Sequence, residues 1–165
     1  MTPSQFKNDH DPGVAYVEGL KIIARRELSV SEVKTRLLKK GYQTGDVESA
    51  ISQLMKERAL DDHRTAHTIV RRAVQVKNWS KQRIKDELTR RGIMDEVAIN
   101  IVEEAFSDIN DRMLLDKIID QRLSSCGLDD RHLQRLYQSL LRRGFSAEDV
   151  TAVLETRLHR LGLVE

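Results

Sequence analysis

The sequence predicts an all-α protein of three tandem three-helix repeats forming an elongated, curved body. Three observations lead there. First, one phrase is written three times: LLKKGY at residues 37–42, LTRRGI at 88–93 and LLRRGF at 140–145, with Gly41, Gly92 and Gly144 spaced by 51 and 52 residues. Self-similarity at a period of this size is the mark of a repeat architecture. Second, the residue eight before each glycine is apolar (Val33, Ile84, Leu136) and the residue four before is Leu37, Leu88 or Leu140, the spacing of one buried helical face. Third, two prolines and 4% aromatic residues suit helices better than sheets.

Each phrase reads as a helix end. The basic pairs Lys39-Lys40, Arg90-Arg91 and Arg142-Arg143 sit where cations meet the partial negative charge of the last turn. Glycine then takes the left-handed position, and Tyr42, Ile93 or Phe145 folds back on that turn, so local packing accounts for these three residues. The starts are equally legible. Ser29 with Glu32 has capping-box spacing, Ser80 caps the second copy, and Ser146 with Asp149 resembles the box.

A helix precedes each phrase, over about 14–26, 64–76 and 109–124, and another follows it. The following helices carry Val47, Ile51 and Leu54 in copy one and Val150, Leu154 and Leu158 in copy three. In copy two, Val97, Ile101 and Val102 stand one residue nearer the glycine, which predicts a tighter turn. The expected organisation is a flexible segment over 1–13 and repeats over 14–60, 61–107 and 108–165. A three-helix unit of roughly 50 residues is marginal alone, whereas adjoining copies bury the faces one copy leaves open.

Composition narrows the function classes. The chain carries 28 Lys+Arg against 26 Asp+Glu, a net charge of +2, so overall charge does not announce a nucleic-acid binder. Cys126 is the sole cysteine, which excludes an internal disulfide or a cysteine metal cluster. No apolar run approaches the roughly 18 residues of a membrane span, and a soluble cytoplasmic protein is expected. No phosphate-binding glycine loop or nucleophile elbow occurs, so neither catalysis nor a cofactor is predicted. His63 and His67 share a helical face but have too few companions for zinc. Asp61 and Asp62 are read as caps of the helix that follows.

Charge is nonetheless uneven. Between residues 71 and 91 stand Arg71, Arg72, Lys77, Lys81, Arg83, Lys85, Arg90 and Arg91 against Asp86 and Glu87, eight basic to two acidic. Such a strip suits DNA phosphate or an acidic protein surface, and it also suits a solvated face with helix-end charges. Trp79 lies among Lys77, Lys81 and Arg83. It is placed to stack on a base, to anchor a protein contact, or to cover the join between two helices.

The phrases RLLKKGY, ALDDHRTA and SKQRIKDELTRRGI together resemble the RecX family, bacterial regulators of the RecA recombinase, and the resemblance runs over about 14–163. Its most specific part comprises Leu60, Asp61 and Asp62, then Arg71 and Arg72, then Arg83, Ile84, Glu87, Leu88, Arg91, Gly92 and Ile93. Departures are Ala59 for a usual glycine, Thr65 for a large aromatic, and residues 76–79 for a basic loop that contains glycine. The resemblance implies a monomeric regulator without chemistry of its own, acting in DNA repair, recombination and the SOS response. It would bind the RecA filament on single-stranded DNA and inhibit ATP hydrolysis, filament growth and strand exchange, touching DNA weakly or through the filament. The candidate filament- or DNA-binding residues are Arg71, Arg72, Lys77, Trp79, Lys81, Arg83, Lys85, Arg90 and Arg91. Two alternatives stand beside this: an autonomous DNA-binding protein with helix-turn-helix-like repeats, and a pure protein-interaction scaffold.

Overall fold

Three glycine-ended helices set the pattern of the whole chain. The computed structural model describes residues 12–93, 96–125 and 129–160. Cys126, the closing residues 162–165 and most of the 1–13 segment lie outside them. The described residues form nine α-helices and no strand: α1 (Pro12–Ile23), α2 (Val30–Lys39), α3 (Thr44–Lys56), α4 (Asp62–Arg72), α5 (Lys81–Arg90), α6 (Glu96–Ala105), α7 (Asp111–Ser125), α8 (Asp130–Arg142) and α9 (Ala147–Arg160). Two compact units result, one within Met1–His67 with Leu88–Ala98, the other within Thr68–Glu87 with Ile99–Glu165. Helices α4, α5 and α6 each contribute residues to both.

The phrase glycines have φ of 90°, 74° and 89°, in the left-handed region. In each, the glycine N–H and the next N–H close a Schellman turn. Gly41 donates to the Leu38 carbonyl and Tyr42 to Leu37; Gly92 to Thr89 and Ile93 to Leu88; Gly144 to Leu141 and Phe145 to Leu140. The apolar residue after the glycine is thereby returned to the core, where Ile93 and Phe145 are buried and Tyr42 is half-buried.

In the first unit α1, α2 and α3 pack around Ile22, Val33, Leu37, Val47, Ile51 and Leu54. In the second, α7, α8 and α9 close on Leu115, Ile118, Ile119, Leu140, Val150 and Leu154. Arg157 of α9 ties down α7 through Asp116 at 3.2 Å and Asp120 at 2.9 Å. The third helix of copy two departs from the expected register. Val97 is 40% exposed, and the buried face is Ala98, Ile101 and Val102. Ala98 stands six after its glycine, as do Val47 and Val150, so copy two keeps the common register and the expected one-residue shift is withdrawn. A small alanine fills the position a valine fills elsewhere.

The capping serines do more than start helices. Ser29 Oγ accepts from Glu32 N–H, Ser29 N–H donates to Glu32 Oε2, and the same hydroxyl donates to the Arg91 carbonyl at 2.5 Å. The next amide, Val30, donates to Asp62 Oδ1 at 2.8 Å. Copy two repeats the joint within the second unit. Ser80 Oγ accepts from Arg83 N–H and donates to the Gly144 carbonyl at 2.8 Å, and Lys81 N–H donates to Asp111 Oδ1 at 2.9 Å. Arg83 occupies the Glu32 position and has no acceptor to offer, so Ser80 N–H donates to the Arg143 carbonyl instead, at 2.9 Å. Asp61 caps α4 as expected, through the N–H groups of His63 and Arg64, while Asp62 serves the start of α2.

These joints press the glycines close. A Cβ on Gly92 would lie 2.6 Å from Ser31 Cβ, and one on Gly144 would lie 2.5 Å from Arg83 Cβ, whereas one on Gly41 meets nothing within 4 Å. Gly41→Ala should therefore cost about 1–2 kcal/mol, the left-handed backbone penalty alone. Gly92→Ala and Gly144→Ala should cost more, since a neighbour must also move. Ser80→Ala, which removes a cap and a buried bond together, should cost about 1–3 kcal/mol. Urea unfolding midpoints of the four single variants check this order.

Candidate nucleic-acid interface

The end of α4 loosens before α5 begins. Residues Ala73–Lys77 form a π-helical turn, and Asn78 follows with φ 50° and ψ 53°. Asparagine tolerates this left-handed conformation better than most side chains, which explains how the segment turns without a glycine. The Ala73 carbonyl receives the N–H groups of both Asn78 and Trp79. Ser80 is then fixed by its bonds to Arg143 and Gly144. Backbone restraints on both sides hold Trp79 in place, and short π-helical stretches of this kind recur at functional sites.

Around the indole gathers a mixed basic and apolar surface. Lys77 Nζ lies 4.0 Å and Arg83 Cζ 5.2 Å from the ring centroid. Trp79 is half-buried, and Val76, three residues earlier in the chain, is 70% exposed. Arg71 and Arg72 are exposed on the last turn of α4. Arg71, Arg72, Lys77 and Arg83 form no ion pair among the described residues.

The remaining candidates sort differently. Lys81 and Lys85 both grip Glu103 of α6, Lys85 at 2.9 Å. Hydrogen bonds from Lys81 first, and then from Lys85, hold the Glu103 carboxyl below the usual glutamate range. Arg90 and Arg91 belong to the other unit, where Arg91 faces Glu32 at 3.5 Å and lends its carbonyl to Ser29. The structure therefore brings Lys77, Trp79 and Arg83 together, attaches Lys81 and Lys85 to an acid, and counts Arg90 and Arg91 within the first unit. Val76 was missed by a search for charge, although an apolar residue three before a tryptophan in a basic stretch is itself a signal.

The other positions are architectural. Thr65 is buried, with its hydroxyl directed at the Leu28 carbonyl at 3.4 Å, and it lines a cavity of about 490 Å³ with Leu20, Ile23, Ala59 and Leu60. Among the described residues no group of His, Cys, Asp and Glu converges as a metal site, and no helix is long and apolar enough to cross a membrane.

Tandem three-helix units define a small helical repeat protein. Comparison with known proteins makes the assignment specific. The model of the RecX first three-helix domain matches residues 15–54 and that of the second matches residues 61–98. The regulatory protein RecX of Halorhodospira halophila is 33% identical over 135 residues, covering 81% of each chain. That of Chromohalobacter salexigens is 31% identical over 133 residues, covering 81% of this chain and 86% of its own. The crystal structure of RecX from Lactobacillus salivarius, 19% identical, shares the fold with a TM-score of 0.65 over 88% of this chain and 95% of that one. The chain belongs to the RecX family of regulatory proteins.

Glu103 gives this surface a test. Its depressed pKa means that the carboxylate stays charged, and the two lysines engaged, through mildly acidic conditions. Its stabilising effect is present above the ordinary glutamate pKa and lost as pH falls through the depressed one. Glu103→Gln should release Lys81 and take one acidic partner from Lys85 at neutral pH, and tighten binding of a single-stranded oligonucleotide at low salt. Fluorescence anisotropy of the variant beside the parent protein measures the change.

Proposed function

We propose that this chain is a negative regulator of the RecA–single-stranded DNA filament. It binds the filament as a monomer in the cytoplasm and restrains its ATPase, growth and strand exchange by occupancy rather than by chemistry of its own. Membership of a family of regulatory proteins supports the class of activity. One observation carries the interface: Trp79 is flanked by Lys77 and Arg83 on a backbone-restrained turn, with Arg71 and Arg72 exposed on the helix before it. Phosphate contacts give affinity without sequence preference, and an aromatic face accepts any base.

The energetics favour exchange at the indole. A cation over an exposed ring contributes about 0.5–1 kcal/mol. A base stacked on an aromatic contributes about 1–3 kcal/mol. A base displacing one cation from Trp79 gains on balance, and the released cation remains within reach of a phosphate. Lys81 and Lys85 play a smaller part, because Glu103 already neutralises one charge between them.

The deciding experiment is the single-stranded-DNA-dependent ATPase of the cognate recombinase, titrated with this protein at fixed salt and saturating DNA. The rate should fall at protein concentrations well below that of recombinase. A Lys77→Ala, Trp79→Ala, Arg83→Ala triple variant should lose most of this inhibition while keeping its helical circular dichroism. An unchanged ATPase together with no binding to the filament would refute the proposal.

A further inference from the structure

We propose that the first unit carries a separate site for the phosphodiester backbone of nucleic acid, in the concavity between α1 and the C-terminal end of α2. The cavity measures about 310 Å³, and five of its lining residues are cations: Lys21 and Arg25 from α1 and the residues just after it, Arg36, Lys39 and Lys40 from α2 and its end. Glu18 is the single acid there. It binds Lys40 at 2.7 Å and Lys21 at 3.6 Å. A hydrogen bond from Lys40, with the nearby charges of Lys40 and Lys21, holds its carboxyl below the usual range. Arg25, Arg36 and Lys39 have no acidic partner among the described residues. Five cations to one carboxylate leave an excess of four positive charges around one hollow.

Helix-end electrostatics account for part of this excess, since Lys21 stands in the last turn of α1 and Arg36, Lys39 and Lys40 at the end of α2, but they do not call for two helix ends and Arg25 to share one hollow. The last carbonyls of α2 are already satisfied, since Leu38 receives Gly41 N–H, Leu37 receives Tyr42 N–H, and Lys40 N–H reaches the Arg36 and Leu37 carbonyls. Arg25 lies beyond the last residue of α1 and converges on the hollow from outside either helix. The composition of the wall selects the occupant. Protein interfaces are built on apolar and aromatic anchors and are depleted in lysine. Here the one apolar lining residue, Ile22, is itself buried, and no aromatic lines the site. A surface offering five cationic donors beside one already paired carboxylate suits an anion whose charge recurs along a chain. A guanidinium offers a bidentate fork to each phosphate, and ammonium groups follow its charge.

This site lies in a different unit from the tryptophan surface and is tested without recombinase. The experiment is anisotropy of a fluorescein-labelled oligothymidylate titrated with the full chain over a series of salt concentrations. The Arg25→Ala, Arg36→Ala, Lys39→Ala variant should bind more weakly. Its slope of log affinity against log salt should be shallower by about 2, since each lost single-strand phosphate contact removes about 0.7. Glu18→Gln, which frees Lys21 and Lys40 and deletes no cation, should shift affinity the opposite way. A folded triple variant with the parental slope overturns the proposal, as does a Glu18→Gln variant that binds no tighter. Parental DNA binding combined with lost ATPase inhibition also overturns it, in favour of an acidic protein surface. Failure of the tryptophan-surface variants leaves these readouts untouched.

Discussion

A serine hydroxyl that faces two ways governs this fold. As a helix cap it accepts the amide of the residue three ahead, and as a donor it reaches a carbonyl more than sixty residues further along the chain. A buried hydroxyl without partners is costly, and here both its capacities are used. The adjacent amide is taken by an aspartate at the start of a later helix, whose negative charge also meets the positive end of the helix it serves. The spacing of the phrases follows from this constraint. A turn that must bring its last carbonyl onto an earlier cap, with its backbone almost touching that helix, leaves no room for a side chain. The glycines are therefore fixed by a contact as well as by a dihedral angle at two of three positions.

The local half of this architecture was legible in the sequence. The Schellman turns, the Ser29 box and the apolar faces of α2, α5 and α8 are written within a few residues of one another, where backbone geometry alone decides. The Ser29–Arg91 and Ser80–Gly144 bonds were not legible, because nothing local distinguishes a serine that only caps from one that also bridges. The displaced face of α6 had a different cause. Valine outranks alanine in any hydrophobic pattern, yet position along the helix, set by the glycine, decided that Ala98 and not Val97 would be buried.

The candidate site shows the same limit from the side of charge. A run of basic residues is visible in one dimension, but its neutralisation by Glu103 depends on a residue from the next helix. The two lysines nearest the centre of the run are the ones most occupied. In the opposite sense, Arg25 and Arg36 look unremarkable eleven residues apart, and become conspicuous when two helices bring them to one hollow. Trp79 was ambiguous between cover and contact. Its restrained backbone, the exposed Val76 three residues before it and the flanking cations bear on both roles, since partial burial fixes the ring while leaving a face to offer.

The cap of α8 differs from its two predecessors in position as well as in functional group. Ser29 and Ser80 stand twelve residues before their glycines, whereas α8 starts three residues earlier and is capped by Asp129, fifteen before Gly144, which accepts the His132 amide at 2.7 Å. That backbone bond, followed by the His132 side chain, keeps the carboxyl below the usual aspartate range and so ionised. An ionised carboxylate caps a helix as well as a hydroxyl does, but it has no proton to give and would repel an incoming carbonyl oxygen. A Cβ on Gly41 would meet nothing within 4 Å, so among the described residues the Gly41 turn is not pressed against a cap helix as the Gly92 and Gly144 turns are. The Asp129 side chain can thus cap α8 but cannot donate the second, long-range bond that Ser29 and Ser80 each make, so a cap of this kind starts a helix without joining it to a later turn.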